Sequence, residues 1–114
     1  MNAVPRTVGD FATARSGDKG EHANLAVVAR DRAAFELLAE RLTAERVAAY
    51  FASLEPSRVE RFVLPRIESL NFVLYHVLHG GASRSLRLDT QGKLLGTQLL
   101  EMPLPEIGEA HPTW

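Results

Sequence analysis

Apolar and polar positions at the start of the chain alternate in blocks that predict two strands. A first strand is expected over residues 8–14, although Gly9 and Asp10 weaken it. The polar stretch 15–22 is expected to be a loop, and residues 23–30 form a nearly continuous apolar run, ANLAVVAR. A run of this length between polar flanks is typical of a strand that is buried on both faces.

Two amphipathic helices are predicted next. Asp31 is a suitable N-cap for a helix that begins at Arg32, and Thr43 is a suitable N-cap for a second helix, which Pro56 is expected to stop. In each helix, apolar residues recur at i, i+3, i+4 and i+7, so they form one stripe that faces the core. These residues are Phe35, Leu38, Ala39 and Leu42 in the first helix, and Val47, Tyr50, Phe51 and Leu54 in the second.

Residues 59–78 predict a strand followed by a third helix. Residues 59–64 alternate loosely and are ended by Pro65. Residues 67–78 fit the helical spacing, whereas the stretch 72–75, FVLY, would suit a strand. The length of the segment favours a helix.

The last third of the chain predicts a β-hairpin. A Gly-rich polar loop at 79–84 is followed by alternating residues at 85–89. Gly92 lies in a turn, and residues 94–102 are expected to run back along the preceding strand.

The resulting order β-β-α-α-β-α-β-β predicts an α+β fold. So few helices cannot form two layers, so we expect one mixed or antiparallel sheet with the helices on one face, a two-layer sandwich that is ferredoxin-like or a permuted relative. Residues 1–114 are expected to form a single domain, with a core over about 7–103 and an irregular C-terminal arm over 104–114. The other sheet face is left to solvent or to a second subunit, which predicts a homo-oligomer.

Composition narrows the classes of function. The net charge of −1 argues against nucleic acid as a partner, because proteins that neutralise phosphates normally carry a basic excess. There is no cysteine, which excludes disulfides and thiol nucleophiles and fits a reducing compartment. No apolar run is long enough to cross a membrane, and the first residues do not look like a signal peptide. A cytoplasmic protein is therefore expected.

Two Gly-rich polar stretches are candidate binding loops. In the first, ARSGDKG, the glycines at 17 and 20 allow backbone N–H groups to converge on an anion, and Arg15 and Lys19 add charge. A hairpin turn in which Asp18 caps backbone groups is the alternative. The second stretch, HGGASRS, begins at His79. If the two loops meet at one end of the sheet, they could hold a carboxylate, a phosphate or a coenzyme A ester. Alternatively, the second Gly pair only ends the preceding helix.

Histidine and carboxylate residues give only sparse signs of catalysis. His76 and His79 are three residues apart, but a metal site needs further ligands, so no metal and no cofactor is expected. Asp18 and His79 are the candidates for acid–base chemistry. A Ser-His-Asp site has no GxSxG motif to support it.

Three stretches together resemble a known family. They are ARSGDKG followed by ANLAV; LNF at 70–72; and GGASRSLRLD with QGK and LLEMP. They resemble the small C-terminal domain of the acyclic terpene utilisation protein A family, also described as an AtuA-like ferredoxin-fold domain, over about 8–103.

This resemblance implies a ferredoxin-like fold and a setting in the bacterial breakdown of acyclic terpenes and related branched acyl-CoA compounds. In larger members the small domain follows a much longer N-terminal domain, so a free-standing copy implies a larger partner chain of the same family. The resemblance carries over no catalytic residue. The candidate ligand-binding residues are those that form the motifs: Arg15, Ser16, Gly17, Asp18, Lys19, Gly20, Asn71, Gly80, Gly81 and Arg84.

Three functions are therefore considered. The first is an accessory binding domain that acts with a larger partner in acyl-CoA or acyclic terpenoid catabolism and has an anion-binding site. The second is a small enzyme, a hydrolase, lyase or isomerase that acts on a carboxylate or a CoA ester. The third is a purely structural protein–protein interaction module.

Overall fold

The computed structural model describes residues 6–77 and 95–104. Six strands and three α-helical segments occur within these ranges, together with short 3₁₀ turns at Val8–Asp10, Ala52–Leu54 and Pro65–Ile67. In chain order the elements are β1 (Arg6–Thr7), β2 (Ala12–Lys19), β3 (His22–Ala29), α1 (Arg32–Arg41), α2 (Ala44–Tyr50), β4 (Arg58–Leu64), β5 (Ser69–Tyr75), α3 (residues 95–100) and β6 (Pro103–Leu104).

The main sheet has four strands in the order β2-β3-β5-β4, and all neighbours are antiparallel. Because β5 is antiparallel to both of its neighbours, β3 and β4 run parallel to each other with β5 between them. This is a split βαβ unit, which is characteristic of ferredoxin-like folds. If the consecutive helices α1 and α2 are counted as one helical unit, the described elements of this sandwich follow the order ββαββα along the chain. The predicted α+β ferredoxin-like or permuted sandwich is confirmed.

The core lies between the inner face of this sheet and the helices. Residues at every second position of β3 and β5 are buried, and most of the apolar stripe predicted for the two helices packs on them. Tyr50 is the exception: it was predicted to belong to the stripe but is 37% exposed, because it faces the cleft beside residues 95–100. The buried core includes Leu25, Val27, Leu70, Phe72, Leu74, Phe35, Leu38, Leu42 and Val47.

The predicted helix starts are confirmed. Asp31 Oδ1 accepts a hydrogen bond from the backbone N–H of Ala34 at 2.8 Å, and Thr43 Oγ1 accepts one from Arg46 at 3.1 Å. These bonds satisfy backbone donors that the first helical turn leaves unpaired. The second helix ends at Tyr50, earlier than Pro56 requires, because a 3₁₀ turn follows it.

The prediction of a first strand over 8–14 and a loop over 15–22 was wrong. Val8–Asp10 is a 3₁₀ turn, and β2 then runs through the polar motif as far as Lys19. Every residue from Ala12 to Lys19 is in register with β3, so backbone pairing extends the strand through side chains that look like a loop. Only Gly20 and Glu21 form the turn. Gly20 has φ +63°, which is the positive value that the first residue of a type II′ hairpin turn requires.

The prediction that β3 is buried on both faces was also wrong. Buried and more exposed residues alternate along it, and Val28 is 39% exposed. The helices cover one sheet face only, so the apolar side chains on the other face remain accessible within the described part of the chain.

The segment predicted as a third helix over 67–78 contains strand β5 instead. Leu70, Phe72 and Leu74 occupy alternate positions and are all buried. The segment also fits helical spacing, but its position between β3 and β4 gives it hydrogen-bonding partners on both sides, and this pairing determines its structure.

The predicted return strand over 94–102 was wrong as well, because residues 95–100 are helical. Leu95 and Leu99 lie one turn apart on α3 and are both buried. The strand predicted over 85–89 lies outside the described residues.

The short strands β1 and β6 pair separately, with Arg6 opposite Leu104. Leu104, which was assigned to the irregular arm, is therefore a paired and fully buried residue. Neither described range contains a helix that is long and apolar enough to span a membrane.

Candidate functional site

The outer face of the four-stranded sheet, which is turned away from the helices, carries the residues of greatest chemical interest. Strand register arranges them in rows across the sheet, and one row contains Arg15, Ala26, Asn71 and Phe62. A second row pairs Lys19 with His22 at the hairpin end of the sheet. Residues near these two rows form two distinct regions.

The ARSGDKG motif is divided between the two sheet faces. Because side chains alternate along a strand, Arg15 and Gly17 belong to the outer face, whereas Ser16 and Asp18 belong to the inner face. A β-carbon at position 96 would lie 3.4 Å from Oγ of Ser16, so α3 passes close to this strand where glycine leaves room. Asp18 is exposed at the end of the strand, opposite Ala23. The motif is therefore an edge strand with a tight turn.

The first region, which we call the open patch, consists of Arg15, Ala26, Val28, Phe62, Leu64 and Asn71. Its apolar side chains are unusually accessible: Phe62 and Leu64 are each 42% exposed, and Val28 is 39% exposed. Arg15 is exposed, and it has no ion-pair or hydrogen-bond partner within residues 6–77 and 95–104. Exposed apolar side chains that share one sheet face with an exposed arginine are typical of an interaction site.

Asn71 lies in the middle of the open patch and is half-buried on β5. The sequence predicted that it would act from a helix, but it is a strand residue, two strands away from Arg15 in the same row. Neighbouring strands are about 4.8 Å apart, so the two Cα atoms are separated by about 10 Å. The structure thus brings two of the predicted ligand-binding residues onto one surface.

Four of the other predicted site residues, His79, Gly80, Gly81 and Arg84, lie outside the described residues. The predicted meeting of the two Gly-rich stretches therefore stays a prediction.

The second region, which we call the histidine cluster, consists of His22, Ser57, Arg58, Glu60, Tyr75 and His76. Ser57 Oγ lies 2.6 Å from Nδ1 of His76. The backbone N–H of His76 donates to Nδ1 of His22 at 3.1 Å, and the two imidazole rings meet edge to face with their centroids 4.9 Å apart. The residue at position 76 has φ +62°, which is uncommon for a residue other than glycine.

The other half of the histidine cluster is a network around one carboxylate oxygen. Tyr75 donates its O–H to Oε1 of Glu60 at 2.7 Å, and the Arg58 guanidinium lies 3.3 Å from the same oxygen. The guanidinium also stacks over the Tyr75 ring, 4.4 Å from its centroid. Its contact with Tyr75 and the charge of Glu60 raise the pKa of Arg58 above its ordinary value.

Sequence reasoning missed the histidine cluster. It comes together because β3 begins, β4 begins and β5 ends at the same edge of the antiparallel sheet. Reading residues 69–75 as a strand would have placed His22 and His76 at neighbouring strand ends. Within the described ranges, no three His, Cys, Asp or Glu side chains are grouped so that they could hold a metal ion.

A cleft of about 400 Å³ lies between α2 and α3, away from both regions. Tyr50, on its wall, donates its O–H to the backbone oxygen of Gln98 at 2.8 Å and so ties the two helices together. Burial and, to a smaller extent, the charge of Glu101 raise the pKa of Tyr50. These contacts give the tyrosine a structural role.

The split βαβ sheet with helices on one face defines an α+β domain of the ferredoxin-like class. A family model described as the AtuA ferredoxin-like domain matches residues 6–105, and the chain belongs to this family. None of the curated proteins and none of the solved structures compared with the chain matches it.

Proposed function

We propose that this protein is a cytoplasmic accessory domain that works with a larger chain of the AtuA family in acyl-CoA or acyclic terpenoid catabolism. It binds an anionic group of that partner through the open patch. The observation that carries the proposal is the position of Arg15, which is exposed and unpaired within the described residues and shares the outer sheet face with exposed apolar side chains.

The physical argument begins with the apolar part of the open patch. Phe62, Leu64 and Val28 gain stability when a partner removes them from water, at about 25 cal/mol per Å² of apolar surface. Because a sheet face is broad and small-molecule sites are concave, the open patch suits a protein surface better than a small ligand.

Charge then determines the orientation of the partner. An arginine can form two parallel hydrogen bonds with a carboxylate, and it is one of the residues enriched in the centres of protein interfaces. Arg15 would pair with an Asp or Glu side chain of the larger chain, and Asn71 would add hydrogen bonds ~10 Å away. The absence of cysteine is in keeping with a reducing cytoplasm.

The test is a pull-down of the tagged protein from its native host, with the captured chains identified by mass spectrometry. Arg15→Ala and Phe62→Ser are compared with Arg66→Ala, which removes an exposed arginine from a 3₁₀ turn. We expect a larger chain of the AtuA family with the unchanged protein and with Arg66→Ala, and its loss with Arg15→Ala and Phe62→Ser.

Two results would contradict the proposal. One is equal recovery of the larger chain with Arg15→Ala and Arg66→Ala. The other is that a second copy of the protein already occupies the open patch. In that case light scattering would show a dimer of the purified protein, and Phe62→Ser would convert the dimer to a monomer. A Lys19→Ala, Arg84→Ala double variant tests separately whether the two Gly-rich stretches share the anion site.

A further inference from the structure

The histidine cluster places a potential nucleophile and a base in direct contact. Ser57 and His76 are both exposed, and the 2.6 Å between Oγ and Nδ1 is a short distance for a hydrogen bond. We propose that Ser57 is a nucleophile, activated by His76, that accepts the acyl group of an ester or thioester. This inference rests on the histidine cluster alone and does not depend on the open patch.

Both members of the pair are fixed through the backbone. The N–H of Ser57 donates to the carbonyl oxygen of Tyr75 at 3.0 Å, so the serine is held beside the end of β5. The N–H of His76 donates to Nδ1 of His22 while residue 76 has φ +62°, so the bond forms in this positive-φ conformation. A nucleophile within hydrogen-bond reach of a base, with a third group positioning the base, is the arrangement that activates serine in enzymes.

The hydrogen bond from His76 determines the tautomer of the neutral His22 ring. Its Nδ1 accepts a hydrogen bond from the backbone of His76, so in the neutral ring the proton is on Nε2. His22 is therefore a positioning residue that holds the base and presents a second N–H donor. When Ser57 donates to Nδ1 of His76, that nitrogen is the proton acceptor and Nε2 of His76 carries the ring hydrogen.

The proposed reaction has two balanced steps. Ser57 Oγ attacks the acyl carbon, and its proton moves to Nδ1 of His76. The new C–O bond forms as the bond to the leaving alkoxide or thiolate breaks, and His76 gives its proton to that leaving group. Water then attacks the acyl-serine in the same way, with His76 taking one proton from water and returning it to Ser57. The products are a carboxylic acid and an alcohol or thiol.

The alternative is that the contact between Ser57 and His76 only ties two strand ends together. A structural contact would not make the serine reactive, so a reagent that reports nucleophilicity separates the two roles. A fluorophosphonate probe forms a covalent bond with activated serines, and peptide mass spectrometry locates it.

The matched variants are Ser57→Ala, His76→Asn and Ser53→Ala. Asparagine tolerates positive φ, so His76→Asn removes the base while keeping the backbone conformation. Ser53 is an exposed serine on the Ala52–Leu54 turn, and within the described residues its hydroxyl is not hydrogen-bonded to a histidine. Circular dichroism checks that each variant is folded.

We expect the probe on Ser57 in the unchanged protein and in Ser53→Ala, and a loss of about 100-fold or more in labelling rate in His76→Asn, which is the contribution typical of a general base. p-Nitrophenyl acetate should likewise leave an acetyl group on Ser57. The proposal is overturned if the unchanged protein is not labelled at Ser57. It is also overturned if folded His76→Asn is labelled at the same rate as the unchanged protein.

Discussion

The two regions of the outer sheet face differ in the contacts that their side chains make within the protein. In the histidine cluster, each side chain contacts another member of the cluster through a hydrogen bond, an ion pair or a ring contact. In the open patch, Arg15 has no such partner within the described residues, and three apolar side chains are about two-fifths exposed. At the strand ends, polar side chains of neighbouring strands meet, whereas the cross-strand neighbour of Arg15 is Ala26, which offers it no polar group.

This contrast suggests different roles. The side chains of the histidine cluster are held in a fixed geometry by one another, as catalysis requires. The side chains of the open patch have surface left to contact a second molecule, as binding requires.

The largest change in the free energy of unfolding is expected between two phenylalanine variants, one on each face of the sheet. Phe72 is fully buried on the inner face, so Phe72→Ala should lower the free energy of unfolding by about 3–5 kcal/mol. Phe62 lies in the open patch, so Phe62→Ala should change it by about 0.5 kcal/mol or less. Urea unfolding measures both. Similar losses for the two variants would mean that Phe62 is packed within the protein and that the open patch is not a free surface.

A smaller effect is expected within the histidine cluster. Tyr75→Phe removes the hydrogen bond to Glu60 and leaves a carboxylate oxygen with one partner fewer. Loss of about 1 kcal/mol in the free energy of unfolding is expected for such a bond. Tyr50→Phe, which breaks a tyrosine hydrogen bond between two helices, is the matched control and should cost a similar amount. No loss in Tyr75→Phe would show that the cluster is not held by its hydrogen bonds.

The smallest effect on stability is expected at Arg15. Arg15→Ala should leave the free energy of unfolding unchanged to within about 0.5 kcal/mol, because no described contact is lost. The same variant should abolish capture of the larger chain of the AtuA family that we propose as the partner. A clear loss of stability would instead assign Arg15 a structural role in the edge strand.

Local signals in the sequence predicted much of the fold. The two helix N-caps at Asp31 and Thr43 depend on residues three positions apart, and the structure confirms both. Errors arose where pairing between distant segments decides the structure. Residues 15–19 are polar, yet they form a strand because β3 pairs with them, and residues 69–75 suit a helix until β3 and β4 lie on either side.

The same distinction applies to the candidate site. Arg15 and Asn71 could be named from the motifs, although only the register of three strands brings them onto one surface. The contact between His22 and His76 joins residues 54 positions apart. No local spacing encodes such a contact, so the histidine cluster could not be found before the order of the strands was known.

The pairing of β1 with β6 has a topological consequence. Residues 6 and 104 lie opposite each other, so the first and the last residue that the structure describes are close together in space. If residues 6 and 104 were joined by a linker and the chain were cut at the Gly20–Glu21 turn, the described elements of the sandwich would run βαββαβ, with α1 and α2 counted as one unit. This is the usual ferredoxin-like order. The two orders are thus related by circular permutation. A circular permutant made in this way could keep every strand pairing of the four-stranded sheet.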